Sequence, residues 1–431
     1  MSDSKKININ VPVLTRVEGE GALELEINNG VIEKLQLKIF EPPRLFEKFI
    51  EGYQYDQVID MVARICGICP VAYQITAAQA FEDLFKTETS PWVKRMRRVM
   101  YCGEWIQSHA LHIHLLAAPD FFGFDSAIAM AQDFPNEVNR GLKLQGIGND
   151  LISLFGGRSV HPVGIKAGGF YKAPSKTDIS LMHDRLTQAL IDAEAIIHWV
   201  AQIDIPDDNQ DFISIALHHP DEYAIGKGTL ISSKGHNINI KDFEQHIKEN
   251  QAPHSTALHA MLDGQAYLTG PLARMNLNHQ LLPEKIQKLM AELNIQFPSK
   301  NMFHSMIARA IELYFVIDES IHLLENYDTP ELSDTTIDSK SGIAIGCTEA
   351  PRGILWHRYE VDSKGLIQHA KIVPPTSQNQ TRMEIDIQQS LENMGLENND
   401  VDLKLRAEKV IRNYDPCISC ATHFLKLKIN R

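Results

Sequence analysis

The chain lacks several features that would place it in common classes of protein. It has no long basic run and carries a net charge of −13 over 431 residues, so nucleic acid and anionic membranes are unfavourable partners. No run of about 18 apolar residues occurs, so the sequence predicts no membrane span. It also contains no internal repeat, no low-complexity linker and no Gly-x-Gly-x-x-Gly loop of the kind that binds dinucleotides.

A secretory signal and a disulfide framework are missing as well. Residues 1–6 are polar and carry no apolar segment like that of a signal peptide, which favours a cytoplasmic location. A protein exported on a partner's signal would look the same. Cysteine is scarce, with six residues, and this does not fit a disulfide-stapled fold in so long a chain. Two of the six, Cys102 and Cys347, are predicted to be inert buried thiols.

The other four cysteines form two Cys-x-x-Cys pairs near opposite ends of the chain, Cys66 with Cys69 and Cys417 with Cys420. The three-residue spacing lets one turn direct both sulfurs of a pair at one ion. Four thiolates form a soft site suited to zinc, nickel or iron. A zinc ribbon keeps its pairs within about 15–20 residues of each other, whereas only a large folded core brings these two together. The arrangement indicates a buried functional centre.

Hydrophobic periodicity predicts an α+β protein that is predominantly helical, with an N-terminal β-sheet region. Alternating residues predict strands at 23–27 and 31–39, joined by a turn at 28–30. Helical spacing marks 55–116, 176–202, 284–293, 303–324 and the stretch from 373 to 414, with a β-rich piece at 342–372. Residues near 207–270 are predicted to form a small α+β insertion within a single domain that spans 1–431.

Several motifs connect these elements to a known family. The cysteine pairs lie in RICGICP (residues 64–70) and DPCISCATH (residues 415–423), and further matches follow in chain order at 16–21, 44–47, 156–169, 349–353 and 373–376. With these motifs the chain resembles the large subunit of nickel–iron hydrogenases over nearly its whole length. It is most similar to the cytoplasmic, bidirectional branch that couples to nicotinamide cofactors, in particular the NADP-linked sulfhydrogenase type.

The resemblance implies the fold of that large subunit and a nickel ion bound by all four cysteines. Cys69 and Cys420 are the pair expected to bridge to an iron that carries carbon monoxide and cyanide. Pro375 and Thr376 lie where the family hydrogen-bonds a diatomic ligand of the iron.

The implied reaction is the reversible oxidation of H2 to protons and electrons, which needs a soft metal and a base. Cys417 is the expected first base, and Glu18 is the expected proton relay because burial tunes the pKa of a carboxylate. Arg352 is expected over the metals, positioned by Pro351 and oriented by Asp415. Taken alone, Glu18 would be interpreted as a surface glutamate of a strand.

The resemblance raises two further expectations. Glu47 and His423 resemble ligands of a second, hard metal, which is usually magnesium in the family. Residues 424–431 follow that histidine and resemble a peptide that a maturation protease removes once nickel is inserted. The sequence leaves open whether this tail is cleaved or retained as a strand.

The expected partners follow from what this chain does not carry. Nicotinamide, flavin and iron–sulfur clusters have to reside on other subunits. An obligatory small subunit with iron–sulfur clusters and flavin- and nicotinamide-binding diaphorase subunits are therefore expected.

This sequence departs from the family pattern at several positions. Tyr73 stands where many members have a histidine, and Ser108 stands where an acidic residue is frequent. The histidines at 109, 112 and 114 form a dense group on a helical stretch, which we interpret as packing rather than a metal site.

Two alternative functions remain open from the sequence. One is a hydrogenase-related electron- or proton-transfer subunit without nickel, although such relatives generally lack the four cysteines. The other is a structural zinc protein, which metal analysis distinguishes from a nickel–iron enzyme.

Overall fold

Helices and five small β-sheets make up the computed structural model, which describes residues 6–422. The strands are β1 (Lys6–Val11), β2 (Gly21–Asn28), β3 (Val31–Ile39), β4 (Ile165–Lys166), β5 (Gly169–Phe170), β6 (Ile213–His218), β7 (Thr229–Ser232), β8 (Asn237–Ile238), β9 (Ile247–Gln251), β10 (Leu258–Leu262), β11 (Tyr267–Leu268), β12 (Gly342–Ala350), β13 (Gly353–Val361) and β14 (Ile367–Val373). The helices are α1 (Phe46–Phe49), α2 (Tyr55–Val62), α3 (Pro70–Phe85), α4 (Pro91–Leu111), α5 (Ala118–Phe122), α6 (Ala127–Asp133), α7 (Pro135–Gly156), α8 (Lys176–Val200), α9 (Phe243–His246), α10 (Pro271–Asn278), α11 (Glu284–Glu292), α12 (Ser305–Leu324), α13 (Pro375–Met394), α14 (Asp400–Tyr414) and α15 (Ile418–Ala421). A π-helical turn, His112–Ala117, joins α4 to α5. The predicted α+β fold with a helical majority is confirmed.

The N-terminal sheet follows the predicted alternation. Strands β1, β2 and β3 pair antiparallel in that order. Leu23, Leu25 and Ile27 of β2 are buried, whereas the glutamates between them are only half-buried. Asn29 and Gly30 adopt positive φ in the turn before β3, a conformation that asparagine and glycine tolerate best. Both predicted strands and their turn are confirmed.

Helix α4 is a central element of the helical body and packs against α7 and α12. Glycines allow the close crossing with α7, since a Cβ at Gly148 would lie 2.6 Å from the carbonyl oxygen of Gly103. The sequence did not predict α7, because its four glycines lower the helix propensity of that stretch. The predicted helix at 176–202 is present as α8, and the Ser175 side chain caps it by accepting a hydrogen bond from Asp178 N.

The two β regions beyond residue 200 share an apolar cluster. Strands β11, β6, β7 and β8 form one sheet in that order, and β12, β13 and β14 form an antiparallel sheet. Buried side chains of the first sheet, including Ile215 and Leu217, pack with Trp356 and Val373 of the second. The two-residue turn between β12 and β13 consists of Pro351 and Arg352, and it faces the site described below.

Among the helices within residues 6–422, none is both long enough and apolar enough to cross a bilayer.

Candidate metal centre

Four cysteine sulfurs from opposite ends of the chain meet in one buried cluster. Cys66 Sγ lies 3.2 Å from Cys417 Sγ, and Cys69 Sγ lies 3.4 Å from Cys420 Sγ. The sulfurs of Cys417 and Cys420 are 3.1 Å apart, and all four lie within 4.8 Å of one another. The structure therefore brings together the two pairs that the sequence places far apart.

Helix α4 holds the first cysteine loop through two side chains one turn apart. Glu104 is fully buried and accepts hydrogen bonds from the backbone N–H groups of Val71 (2.6 Å) and Ala72 (3.1 Å) in the first turn of α3. Gln107 Nε2 donates to the carbonyl oxygen of Ile68 at 2.5 Å. A carboxyl oxygen is a favourable acceptor at a helix N-terminus because the N–H groups there lack helical partners. Burial raises the pKa of Glu104 well above its usual range, against these two backbone hydrogen bonds. Sequence reasoning missed both residues.

The second cysteine loop is held by residues from other parts of the chain. Glu18 O accepts a hydrogen bond from Ile418 N at 3.0 Å, and Glu18 Oε2 accepts one from Ser419 N at 3.0 Å. Cys417 Sγ lies 3.2 Å from the same carboxylate oxygen. Cys417 N donates to Thr376 Oγ1 at 2.9 Å. The predicted relay residue Glu18 thus contacts the predicted first base.

Gly19 and Arg44 explain how the N-terminal segment reaches both cysteine loops. Gly19 has φ +89°, and a Cβ there would lie 2.6 Å from Ile418 Cβ, so only glycine fits this approach. The Arg44 guanidinium donates to the carbonyl oxygens of Ile65 and Ser419, one in each cysteine loop. The sequence placed Arg44 in a motif without giving it a role.

Arg352 lies in the β12–β13 turn and binds Asp415, which ends α14. Its Nε donates to the Asp415 carbonyl oxygen at 2.9 Å, and its Nη2 donates to Asp415 Oδ1 at 3.0 Å. Burial would raise the pKa of Asp415, but Arg352, His112 and Arg309 lower it. The predicted contact between Arg352 and Asp415 is therefore present, as a buried ion pair.

Neighbouring groups set the protonation of the cluster. Burial raises the pKa of the Glu18 carboxyl, and the charge of Cys66 raises it further. Hydrogen bonds from Ser419 and Cys417 lower it, but by less. Burial would raise the pKa of Cys66, but hydrogen bonds from the other three thiols lower it well below its usual range. Contacts with the thiols of Cys420, Cys66 and Cys69, followed by burial, raise the pKa of Cys417. The Cys417 sulfur is the one that faces Glu18.

The remaining predicted ligands are placed as follows. Glu47 lies on α1, and its Oε1 accepts a hydrogen bond from Ile372 N at 2.7 Å. Pro375 is the first residue of α13 and is followed by the buried Thr376. His423 lies outside the described residues, as does the tail at 424–431. The magnesium site thus stays a prediction.

The three neighbouring histidines are separate packing residues. All are fully buried, which lowers their pKa to about 4 for His109, about 3 for His112 and about 4 for His114. His109 Nε2 lies 3.0 Å from Glu312 Oε2, whereas the other two bond backbone carbonyl oxygens at 2.8 and 3.0 Å. Their arrangement agrees with the interpretation as packing.

The thiol cluster fits a metal ion. Two sulfurs about 2.3 Å from one ion are at most about 4.6 Å apart, close to the spread observed here. The Tyr73 hydroxyl is buried beside the cluster without a conventional hydrogen-bond partner within residues 6–422, and burial followed by the charges of Cys420 and Cys69 raises its pKa. Among the described residues, no second group of three or more Cys, His, Asp or Glu ligands is close enough to share an ion.

A helical body with small, mostly antiparallel sheets, and four buried thiols contacted by a carboxylate, define a protein with a thiolate-type metal centre. The model of the family "nickel-dependent hydrogenase" matches residues 44–140 and 259–423, which is more than half of the chain. The chain belongs to this nickel-dependent hydrogenase family.

Relatives match over nearly the full length. Sulfhydrogenase 1 subunit alpha of Pyrococcus furiosus is 31% identical over 424 residues, covering 97% of this chain and 98% of the relative. Sulfhydrogenase 2 subunit alpha of the same organism is 31% identical over 421 residues, covering 97% and 100%. The NAD-reducing hydrogenase HoxS subunit beta of Cupriavidus necator is 27% identical, covering 98% and 95%.

Solved structures share the fold. An NAD⁺-reducing nickel–iron hydrogenase in its H2-reduced state superposes with a TM-score of 0.88 at 25% identity, covering 97% of this chain and 99% of that one. The nickel–iron–selenium hydrogenase of D. vulgaris Hildenborough superposes with a TM-score of 0.81 at 22% identity, covering 97% and 100%, which bears on the fold alone.

Proposed function

We propose that this chain is the catalytic subunit of a nickel–iron hydrogenase that catalyses H2 ⇌ 2H⁺ + 2e⁻. The observation that carries the proposal is the contact of Glu18 Oε2 with Cys417 Sγ, at 3.2 Å, on the edge of the four-thiol cluster. Four buried thiolates alone would suit a structural metal. A carboxylate in contact with one of them adds the proton acceptor that H2 oxidation requires.

When bound by the four cysteines, nickel and an iron with carbon monoxide and cyanide ligands supply the site at which H2 is split. Nickel would be held by all four cysteines, and the iron would be held by Cys69 and Cys420. Pro375 and Thr376 lie at the start of α13 beside the second loop. Thr376 also fixes that loop, because its hydroxyl accepts the Cys417 N–H.

Proton movement follows the side chains of this chain. Cys417 Sγ accepts one proton of H2 and passes it to Glu18 Oε2. Burial raises the pKa of Glu18, so the carboxyl holds a proton more readily than an exposed glutamate does. Glu18 is only half-buried, and the proton is proposed to leave the site from this carboxyl. In the direction of H2 production the same steps run in reverse.

Arg352 keeps a fixed positive charge beside the thiolates. Asp415 binds its guanidinium through two hydrogen bonds, and Pro351 restricts the backbone of the turn that carries it. We assign Arg352 to electrostatic stabilisation at the centre, with Asp415 and Pro351 as the residues that orient it.

A second metal and a maturation step complete the proposed subunit. Glu47 and His423 are the proposed magnesium ligands, and residues 424–431 are the proposed peptide removed by a maturation protease. We also propose one domain over residues 1–431, with an insertion near 207–270. The apolar cluster shared by β6 and β13 supports a single unit.

The proposed electron route leaves through a small subunit with iron–sulfur clusters and continues to flavin- and nicotinamide-binding diaphorase subunits. A nicotinamide cofactor is the proposed final partner, supported by the similarity to a subunit of an NAD-reducing hydrogenase. NADP(H) is the form we propose, following the resemblance to the sulfhydrogenase type. A cytoplasmic location is proposed as well. Cys102 and Cys347, the two cysteines outside the metal centre, form no disulfide, which agrees with a reducing compartment.

The test is H2-dependent reduction of benzyl viologen, NADP⁺ and NAD⁺ by the complex purified with its partners. We expect viologen reduction under H2 and faster reduction of NADP⁺ than of NAD⁺. Failure to consume H2 with any of the three acceptors would overturn the hydrogenase proposal, whereas viologen reduction alone would overturn only the nicotinamide assignment.

A further inference from the structure

Three consecutive backbone carbonyl groups precede Arg352, and a buried side chain holds each of them. Trp105 Nε1 donates to the carbonyl oxygen of residue 349 at 3.1 Å. Arg274 Nη1 donates to the carbonyl oxygen of residue 350 at 3.0 Å, and Arg274 Nη2 donates to the carbonyl oxygen of residue 351 at 2.9 Å. These residues end β12 and enter the turn that carries Arg352. Buried carbonyl groups need donors, so these side chains determine where the turn lies.

All five N–H donors of Arg274 have acceptors. Besides the two carbonyl groups, Nε and Nη2 bind the carboxylate of Glu312 at 2.7 and 2.8 Å, and Nη1 binds Glu349 Oε2 at 3.0 Å. The guanidinium carbon lies 4.2 Å from the ring centroid of Trp105. Burial would raise the pKa of Glu312, but Arg274 and His109 lower it to about 2, so this pair is ionised. A lysine ammonium has three donors on one atom and cannot reproduce this set.

The loop before α10 also presses against the Arg352 backbone. Gly270 has φ +115°, and a Cβ there would lie 2.8 Å from the Arg352 carbonyl oxygen. Gly353 has φ +133°, and a Cβ there would lie within 2.8 Å of the Thr269 side chain. The segment that leads into Arg274 therefore fits the turn closely.

The β12–β13 turn also fixes the positive charge of Arg352 beside the metal centre. Arg352 makes two hydrogen bonds to Asp415, and Asp415 lies two residues before Cys417. The charges of Cys417, Cys69 and Asp415 all act on the Arg352 guanidinium. A shift of the turn would move that guanidinium relative to the sulfurs.

We propose that Arg274 is a positioning residue of the metal centre, which fixes the turn at residues 349–351 and thereby holds Arg352 against Asp415 beside the four thiolates. The inference rests on the proposed hydrogenase function. Arg274 itself touches none of the four cysteines; it acts through the turn and Arg352.

The test compares Arg274→Lys with the matched control Arg97→Lys in the purified complex. Arg97 is also a buried arginine that binds a glutamate twice, since it donates to Glu82 at 2.8 and 2.6 Å and to the carbonyl oxygen of Lys166 at 2.9 Å. Its partners lie outside the 349–352 turn. The two variants lose the same kind of contact, so a general loss of stability affects both.

We expect Arg274→Lys to lower kcat about 10-fold to 100-fold with little change in the KM for H2, since small misplacements near a reacting centre have effects of this order. We also expect the infrared bands of the carbon monoxide and cyanide ligands to shift at unchanged nickel content. Arg97→Lys should keep the wild-type bands and kcat. Arg274→Lys with the kcat and bands of Arg97→Lys would overturn the proposal.

A second variant covers the case in which Arg274→Lys does not fold. Trp105→Phe keeps an aromatic ring beside Arg274 and removes the donor to the carbonyl group of residue 349, together with part of the buried ring volume. We expect a smaller band shift in the same direction, and unchanged bands would overturn the proposal. Wild-type protein without carbon monoxide and cyanide bands would instead refute the proposed function.

Discussion

The two cysteine pairs are held in different ways. The loop of Cys66 and Cys69 is held mainly by one neighbouring helix, because Glu104 and Gln107 of α4 bind backbone groups on either side of Cys69. Arg44 adds a single further contact, at the carbonyl oxygen of Ile65. Glu104 and Gln107 are both buried from solvent. The first loop therefore depends chiefly on a single helix.

The loop of Cys417 and Cys420 depends on contacts from distant parts of the chain. Glu18 and Arg44 come from the N-terminal region, and Thr376 comes from the start of α13. This is also the loop whose sulfur contacts a carboxylate. The difference teaches that the Cys66–Cys69 loop, the scaffold half of the site, is supported mainly by one helix. The Cys417–Cys420 loop with Glu18, the chemical half, is supported by several separate segments and carries the proposed proton chemistry.

The largest effect is expected from Cys417→Ser, which removes a thiolate from the chemical half. A serine oxygen is a harder ligand than sulfur, so we expect nickel retention and H2 turnover to be lost. Nickel analysis and H2 consumption measure both. Cys347→Ala is the control, because Cys347 is a buried thiol outside the cluster. Wild-type turnover in Cys417→Ser would contradict the assignment.

Glu18→Gln is expected to separate proton transfer from metal binding. The amide keeps the shape of the side chain but cannot relay a proton, so kcat should fall about 10²-fold to 10⁴-fold at unchanged nickel content. The control is Glu41→Gln, since Glu41 accepts a hydrogen bond from the Ser419 hydroxyl at 2.9 Å in the same loop. Equal losses in the two variants would remove Glu18 from the relay.

Glu104→Gln tests the scaffold half. It places an amide NH2 near backbone N–H groups that need an acceptor, so the free energy of unfolding should fall by about 1–3 kcal/mol. We expect less nickel per chain but an unchanged kcat per nickel, measured by denaturant unfolding and metal analysis. Glu82→Gln, which alters another buried carboxylate, should lower stability without loss of nickel. A large fall in kcat per nickel for Glu104→Gln would erase the distinction between the halves.

The smallest effect concerns the pH dependence of stability. The buried His109, His112 and His114 have folded-state pKa values of about 4, 3 and 4, against about 6.5 when unfolded. Because unfolding takes up protons below pH 6.5, stability is present above that pH and is lost as the pH falls towards 4. In His114→Gln the difference in unfolding free energy between pH 7 and pH 6 should shrink by about two-thirds of 1 kcal/mol. The exposed His198→Gln serves as control, and an equal change there would contradict the assignment to the buried group.

The sequence predicted the chemical half of the site better than its support. Cys417, Glu18 and Arg352 lie in motifs that resemble those of nickel–iron hydrogenases, and this resemblance, rather than the residue types alone, implied that they meet. Glu104 and Arg274 look like ordinary polar residues of helices, because nothing local shows that they are buried or which backbone groups they bind. Only the tertiary packing of α4, α10 and the β12–β13 turn reveals their partners.

Secondary structure was predictable wherever periodicity was strong and glycine was rare. The N-terminal strands and α8 follow from alternation, helical spacing and the Ser175 cap. Helix α7 was missed because glycines lower its intrinsic propensity, although the same glycines permit its close contact with α4. A packing requirement outweighed the local preference there.

Metal analysis combined with infrared spectroscopy on the matured complex tests the central claim most directly. The account predicts about one nickel and about one iron per chain, with carbonyl and cyanide stretching bands. Zinc in the four-cysteine site, or no metal in matured protein, would contradict the nickel–iron assignment and would favour a structural or electron-transfer role.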